Sequence, residues 1–103
     1  MITITAKMCR SSISKRIGLM FSRKRTIAMV FDKEPIIPLH MMFVFYPIDV
    51  YFLNKDKVVV EIKLAFKPFT FYVPEVKAMY AVELPADTIS ADIGSIIDFE
   101  EVN

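Results

Sequence analysis

The sequence has few of the residues needed for a metal centre or a covalent active site. Its 103 residues include one cysteine, Cys9, one histidine, His40, and no tryptophan. A single cysteine excludes an internal disulfide, and one Cys with one His cannot form a structural zinc site. Since the chain has only one histidine to act as a base, we expect Cys9 to be a half-buried thiol near a strand end. No glycine-rich phosphate loop is present, and we predict no cofactor and no metal.

Long apolar runs are also missing. The uncharged segment from Ile36 to Ile48 has 13 residues and contains Pro38 and Pro47, whereas a membrane helix needs about 20 apolar residues. The N-terminus lacks the continuous apolar region of a secretion signal. We therefore expect a cytoplasmic location and no membrane partner.

What the chain does have is a composition typical of strands. Hydrophobic residues make up 54% of it, with many Ile, Val, Phe and Tyr and only two glycines. A helix is predicted after Ser11 or Ser12, with Ile13, Ile17 and Met20 on one apolar face. Alternating or continuous apolar residues predict strands at 2–6, 26–31, 40–46, 48–53, 58–64, 69–73, 79–84 and 95–102.

These elements predict a mainly β (α+β) fold for a single domain, 1–103. So many strands in so short a chain favour a small, partly closed β-barrel of seven or eight short strands with one N-terminal helix. The clearest element is a hairpin with its turn at 54–57, followed by a strand that points Val58, Val60, Ile62 and Leu64 inward.

Charge is unevenly distributed along the chain, although the net charge is only +1. Residues 1–31 contain seven basic residues and no acid, and residues 78–103 contain six acids and no base. Either the two ends meet and neutralise each other, or the basic end faces an anionic partner. In the second case the candidate anion contacts are Arg23, Lys24 and Arg25.

Four segments together resemble one family. They are 16–21 (RIGLMF), 47–53 (PIDVYFL), 58–59 (VV) and 82–88 (VELPADT). In this order they resemble uncharacterised protein family 0127, also called domain of unknown function 192. The resemblance implies a small, mostly β, barrel-like domain without an established activity, here in a short, leaderless cytoplasmic form.

The resemblance also singles out candidate site residues. They are Arg16, Gly18, Met20, His40 and Asp49. The chain departs from the family pattern at 40–44, where it reads HMMFV and many relatives carry Trp-Met-Lys-Asn-Thr. Chemistry that depends on that Asn is not expected in this chain.

Asp49 is a carboxylate inside an apolar run, so it must be paired, hydrogen-bonded or near water. It could accept backbone N–H bonds and stabilise a bulge beside Pro47. It could instead pair with Arg16, or form an acid–base pair with His40. For His40 alone, the simplest interpretation is a hydrogen bond to a backbone carbonyl at a strand end.

No catalytic set is evident, and aromatic and Met residues are abundant. They could fill the core, or line a groove or an oligomer interface. We therefore expect a non-catalytic binding or interaction module for a protein, a peptide or a small apolar ligand, and the chain could also form a homo-oligomer. The alternatives are nucleic-acid binding through residues 15–25 and a hydrolase-like activity of Asp49 with His40.

Overall fold

The protein is a mostly β structure with one short helix. The computed structural model describes residues 1–102. The elements in chain order are β1 (Ile2–Cys9), α1 (Ser12–Ile17), β2 (Ile27–Val30), β3 (Leu39–His40), β4 (Ile48–Leu53), β5 (Val59–Phe66), β6 (Phe71–Tyr72), β7 (Tyr80–Pro85) and β8 (Ile97–Glu101). The predicted fold class is confirmed.

Six strands form one sheet in the order β5-β4-β7-β2-β1-β8, and β3 pairs with β6 in a second, two-stranded sheet. The large sheet curls until its two outer strands meet. The N–H of Val59 donates to the carbonyl of Ser95 (2.8 Å), and the N–H of Ile97 donates to the carbonyl of Lys57 (3.0 Å). These contacts are short, so the barrel is partly closed.

Strand β4 is the centre of the packing, because all six of its residues are buried. Ile48, Val50 and Phe52 belong to one apolar cluster. Tyr51 and Leu53 belong to a second cluster on the other face. The sheet is therefore covered on both faces, which explains why β4 reads as a nearly continuous apolar run.

Helix α1 begins where the sequence predicts. The Ser11 side chain accepts a hydrogen bond from the Ser14 N–H (3.0 Å) and caps the helix. The predicted apolar face does not pack into the core, since α1 has no buried residue and Ile13 and Ile17 are exposed. A helix of six residues is too short to lay several side chains on the sheet.

The predicted strand at 40–46 is largely irregular. Only Leu39–His40 is a strand, and the chain then turns inward at Met41, Val44 and Tyr46. Phe43 has a positive φ of 58° and points outward together with Phe45. Because residues 41–46 are all apolar, the sequence pattern could not indicate which of these side chains face solvent.

The predicted hairpin is present, but its strand faces differ from the prediction. The Asn54 side chain accepts from the N–H groups of Asp56 and Val58 and forms the turn. The pairing of β4 with β5 has register shifts at two places. As a result Val59 is buried and Leu64 is exposed, because each bulge moves the following residues to the other face.

The two ends of the chain meet, as one interpretation of the charge distribution predicts. Strand β1 pairs in parallel with β8, and Arg10 forms an ion pair with Glu101 (2.8 Å). The other ion pair found within residues 1–102 joins Lys57 to Asp98. The basic residues between α1 and β2 are not neutralised in this way.

Candidate functional site

An apolar cavity of about 430 Å³ lies between the large sheet, α1 and the segment that contains β3. That volume suits a small organic ligand. Its rim includes Lys15, Arg16 and His40, which are all partly exposed. Its wall is mainly hydrophobic and consists of Ile17, Leu19, Met29, Phe31, Ile37, Leu39, Met41 and Val44.

A single carboxyl group, that of Glu83, lies among these hydrophobic residues. Strand β7 places Glu83 opposite Ile27 of β2 and Val50 of β4, so apolar side chains flank it on both sides. Only 3% of Glu83 is exposed. Among residues 1–102, no group forms a hydrogen bond with its carboxyl. Glu83 is therefore a nearly buried carboxyl that borders the cavity and makes no hydrogen bond to the described residues.

Burial without a partner raises the pKa of Glu83 to about 8, because a charged carboxylate is poorly solvated in apolar surroundings. At neutral pH the side chain is mainly the neutral carboxylic acid. In that form it has one O–H to donate and a carbonyl oxygen to accept. The cavity thus offers a ligand one polar contact within a hydrophobic wall.

Gly18 brings the backbone close to this carboxyl. It has φ 51° and ψ −120° as the residue that ends α1, a conformation suited to glycine. A Cβ at this position would lie 3.2 Å from Cε of Met29 and 3.5 Å from Oε1 of Glu83. Gly18 therefore allows the turn at the end of α1, and its lack of a side chain leaves room beside the Glu83 carboxyl.

His40 and Arg16 meet at the cavity rim. Nε2 of His40 lies 3.0 Å from the Arg16 carbonyl, to which it donates, and Nδ1 accepts from the Met42 N–H (3.2 Å). These two bonds define the tautomer with hydrogen on Nε2. His40 thus bonds a backbone carbonyl, which agrees with the simplest interpretation of the sequence. Met20 is half-buried in the following turn and does not line the cavity.

Asp49 lies in a different hollow, lined by residues of β5 and of the segment after β7. Its two oxygens accept from the N–H groups of Ala65 and Asp87, each at 2.9 Å. Both donors have left-handed backbones, with φ of 51° and 67°. Pairing with Arg16 or with His40 is therefore wrong, and the backbone alternative describes Asp49.

The remaining candidates do not join the cavity. Arg23 and Lys24 are exposed, and Arg25 is half-buried with Nε shielded from solvent. Cys9 lies at the end of β1 as predicted, but it is fully buried and not half-buried. Burial raises the pKa of its thiol and makes it a poor nucleophile. Within residues 1–102 no three His, Cys, Asp or Glu side chains are grouped as metal ligands, and no helix has the length and apolar character to cross a bilayer.

Four phenylalanines outside the cavity form what we call the phenylalanine cluster: Phe21, Phe43, Phe45 and Phe69. Neighbouring ring centroids are 4.7–6.4 Å apart. The four side chains are 69%, 40%, 65% and 45% exposed, respectively. Three of them, Phe21, Phe43 and Phe69, have φ between 56° and 60°, a conformation that costs an L-residue about 1–2 kcal/mol.

Sequence reasoning did not single out Glu83 as a site residue. It stands between Val82 and Leu84, which is the pattern of a polar side chain on the solvent side of a strand. The signal that could have found it is its position in a central strand covered on both faces. That position depends on the order of strands in the sheet, which periodicity does not reveal.

The fold and the cavity define a small, mostly β protein with a buried carboxyl in an apolar pocket. The family model of domain of unknown function 192, described as uncharacterized ACR, matches residues 2–95. A UPF0127 protein of Pyrococcus furiosus is 33% identical over 98% of this chain and 91% of that protein. The chain belongs to this family, DUF192 or UPF0127, as its motifs predict.

Other relatives show how far the similarity extends. A UPF0127 protein of Thermococcus sibiricus is 38% identical over 81% of this chain, which spans 58% of that longer protein. A protein of unknown function from Novosphingobium aromaticivorans superposes with a TM-score of 0.73 and 18% identity, covering 80% of this chain and 63% of its own. At that identity the likeness shows a shared fold alone.

Asp49→Asn is expected to lower the free energy of unfolding by about 1–3 kcal/mol, because one of the two part-buried N–H groups that bond this carboxylate loses its acceptor. Urea denaturation measures this change. Asp56→Asn, in the exposed hairpin turn, is the matched control and should change stability little. An Asp49→Asn protein as stable as the parent would contradict the assigned role.

Glu83→Gln is expected to remove a pH dependence of stability. The pKa of Glu83 is about 8 in the folded protein and near 4.5 unfolded, so the folded state holds the extra proton between these values. Stability should therefore fall as pH rises from about 4.5 to about 8, by about a few kcal/mol. Urea denaturation at several pH values should show a flatter profile for Glu83→Gln, and the parent profile for the exposed Glu100→Gln. Equal slopes in all three proteins would contradict the burial of a neutral Glu83.

Proposed function

We propose that this protein is a non-catalytic binding module whose ligand is a small, mostly apolar molecule with one uncharged polar group. The observation that carries the proposal is the unpartnered Glu83 carboxyl, 3% exposed, in an apolar cavity of about 430 Å³. A ligand that hydrogen-bonds Glu83 would give this nearly buried carboxyl a partner, which contributes about 1 kcal/mol, and would cover the hydrophobic wall.

The charges around the cavity favour an uncharged ligand. Lys15 and Arg16 stand at the rim, and the Lys15 ammonium donates to the Val30 carbonyl (3.0 Å) over the Phe31 ring. A cationic ligand would pass these two positive side chains. An anionic group would have to leave water and enter a hydrophobic wall in which Glu83 supplies one O–H and no positive charge. A hydroxyl, carbonyl or amide can pair with a carboxylic acid without burying charge.

The site lacks the parts of a hydrolase. Asp49 is occupied by two backbone N–H groups in another hollow, and both nitrogens of His40 are hydrogen-bonded to the backbone. No serine or cysteine lines the cavity within the described residues. Binding is the function that the geometry supports best.

A matched set of probes tests this proposal: a medium-chain primary amide, the alcohol of equal length and the corresponding alkane. Methyl NMR of the methionines locates each probe, because Met29 and Met41 line the cavity whereas Met8 and Met79 do not. We expect the amide and alcohol to shift Met29 and Met41 selectively and to bind about five- to tenfold more tightly than the alkane, since one hydrogen bond contributes about 1 kcal/mol.

Variants of Glu83 separate the affinity that comes from the polar contact from the affinity of non-specific hydrophobic binding. Glu83→Gln keeps a donor and an acceptor and should retain the amide preference, whereas Glu83→Leu should remove it and leave alkane affinity intact. Asp49→Asn should leave the preference unchanged. Absence of any methionine shift, or an undiminished amide preference in Glu83→Leu, would contradict the proposal.

A further inference from the structure

We propose that the phenylalanine cluster, with basic residues beside it, docks this protein onto the surface of an anionic lipid bilayer. The cluster is built from three separate segments, the turn after α1, the irregular segment before β4 and the turn before β6. The N–H of Phe21 donates to the carbonyl of Phe43 (2.8 Å), which ties the first two segments together. Rings from distant parts of the chain thus converge on one exposed place.

The backbone conformation indicates that these rings do not serve the fold. Phe21, Phe43 and Phe69 hold left-handed φ values that glycine or asparagine adopts more easily. The side chains gain little burial in return, because 40–69% of each remains exposed. Backbone strain combined with exposed apolar surface is a feature of binding sites. A smaller polar residue would satisfy the fold better at each position.

The charges around the cluster favour an anionic partner. Residues 18–31, 41–47 and 66–70, which carry the four rings, contain no acidic residue. They contain Arg23, Lys24, Arg25 and Lys67, and no ion pair forms at these residues within the described chain. Of these, Arg23, Lys24 and Lys67 are exposed and each lies within three residues of a ring in the chain. Apolar rings with such cations beside them match the two layers of an anionic bilayer surface, with acyl chains below and phosphates above.

A second copy of this chain fits the surface less well. The four rings leave roughly 300–500 Å² exposed, whereas a stable interface buries about 800 Å² per partner. A symmetric dimer would also bring the basic residues of both copies together.

Single-stranded nucleic acid is disfavoured by the arrangement of the rings. Phe21 and Phe43 already stack on each other at 4.7 Å, and Phe69 meets the edges of Phe43 and Phe45. Bases need open ring faces on which to stack. The cluster also has no polar aromatic edge, since all four members are phenylalanine.

Docking at a surface needs no helix that crosses the bilayer, and none of the helices within residues 1–102 is long and apolar enough to do so. The sequence had led us to expect no membrane partner. Rings need to enter only the outer part of the bilayer. Three residues of the cavity wall, Leu19, Met41 and Val44, are each within two residues of a ring in the sequence. The cavity wall and the proposed docking surface are therefore built from the same segments of the chain. The docking proposal does not depend on the cavity being occupied.

Co-sedimentation with vesicles tests the proposal, using phosphatidylcholine alone and an equal mixture with phosphatidylglycerol. We expect binding to the mixed vesicles and much weaker binding to the neutral ones. Phe45→Ser, whose backbone φ is not left-handed, should weaken binding by at least about tenfold, because one ring no longer leaves water. Ile93→Ser is the matched control, since Ile93 is 62% exposed but lies between Asp92 and Gly94 in another loop.

Phe21→Asn provides the sharpest variant. Asparagine tolerates a left-handed φ, so the protein should be at least as stable as the parent while vesicle binding falls by at least about tenfold. Lack of binding to the mixed vesicles would overturn the proposal, as would unchanged binding of Phe45→Ser. A dimer that Phe45→Ser dissociates, or single-stranded DNA binding that Phe45→Ser abolishes while vesicle binding persists, would also overturn it and assign the cluster to that other partner.

Discussion

Glu83 projects from the middle of β7 into an apolar face of the sheet, between Ile27 and Val50. Water is nearly excluded there, so the carboxyl keeps its proton at neutral pH and its pKa rises to about 8. Gly18 leaves room beside it, and α1 with the segment around β3 closes the space above. A leucine at this position would bury more favourably. Stability alone therefore does not account for the carboxyl, and the cavity that it faces provides a reason for it.

The phenylalanine cluster presents the same conflict at the surface. At the surface, apolar phenylalanine rings are exposed to water on residues with a strained backbone. In the cavity, the polar carboxyl of Glu83 is shielded from water. Asp49 shows the contrasting case, because its carboxylate satisfies two N–H groups of left-handed residues and so supports the fold. A locally unfavourable group that has a protein partner is structural. One that lacks a partner is a candidate for binding.

Much of the fold could be predicted from the sequence, because alternation and turn residues report on local structure. The mostly β class, most of the strands, the Asn54 turn and the two faces of β4 follow from such patterns. The exposed face of α1, the outward Leu64 and the irregular segment after His40 could not, since they depend on helix length, bulges and uniform hydrophobicity. For the candidate site, the resemblance to the family singled out Arg16, Gly18 and His40, and these three residues do line the same cavity. Glu83 and the cavity itself required the strand order.

The protonation of Glu83 tests this account most directly. A carbon-detected NMR titration of the Glu83 side-chain carboxyl in the folded protein should give a midpoint near the value of about 8 that burial imposes on its pKa. Glu100, on the exposed end of β8, serves as the internal comparison in the same spectra. A Glu83 midpoint near the ordinary value of 4.5 would show a solvated carboxylate. It would contradict the claim that Glu83 is a neutral acid that binds an uncharged group of a ligand in the cavity.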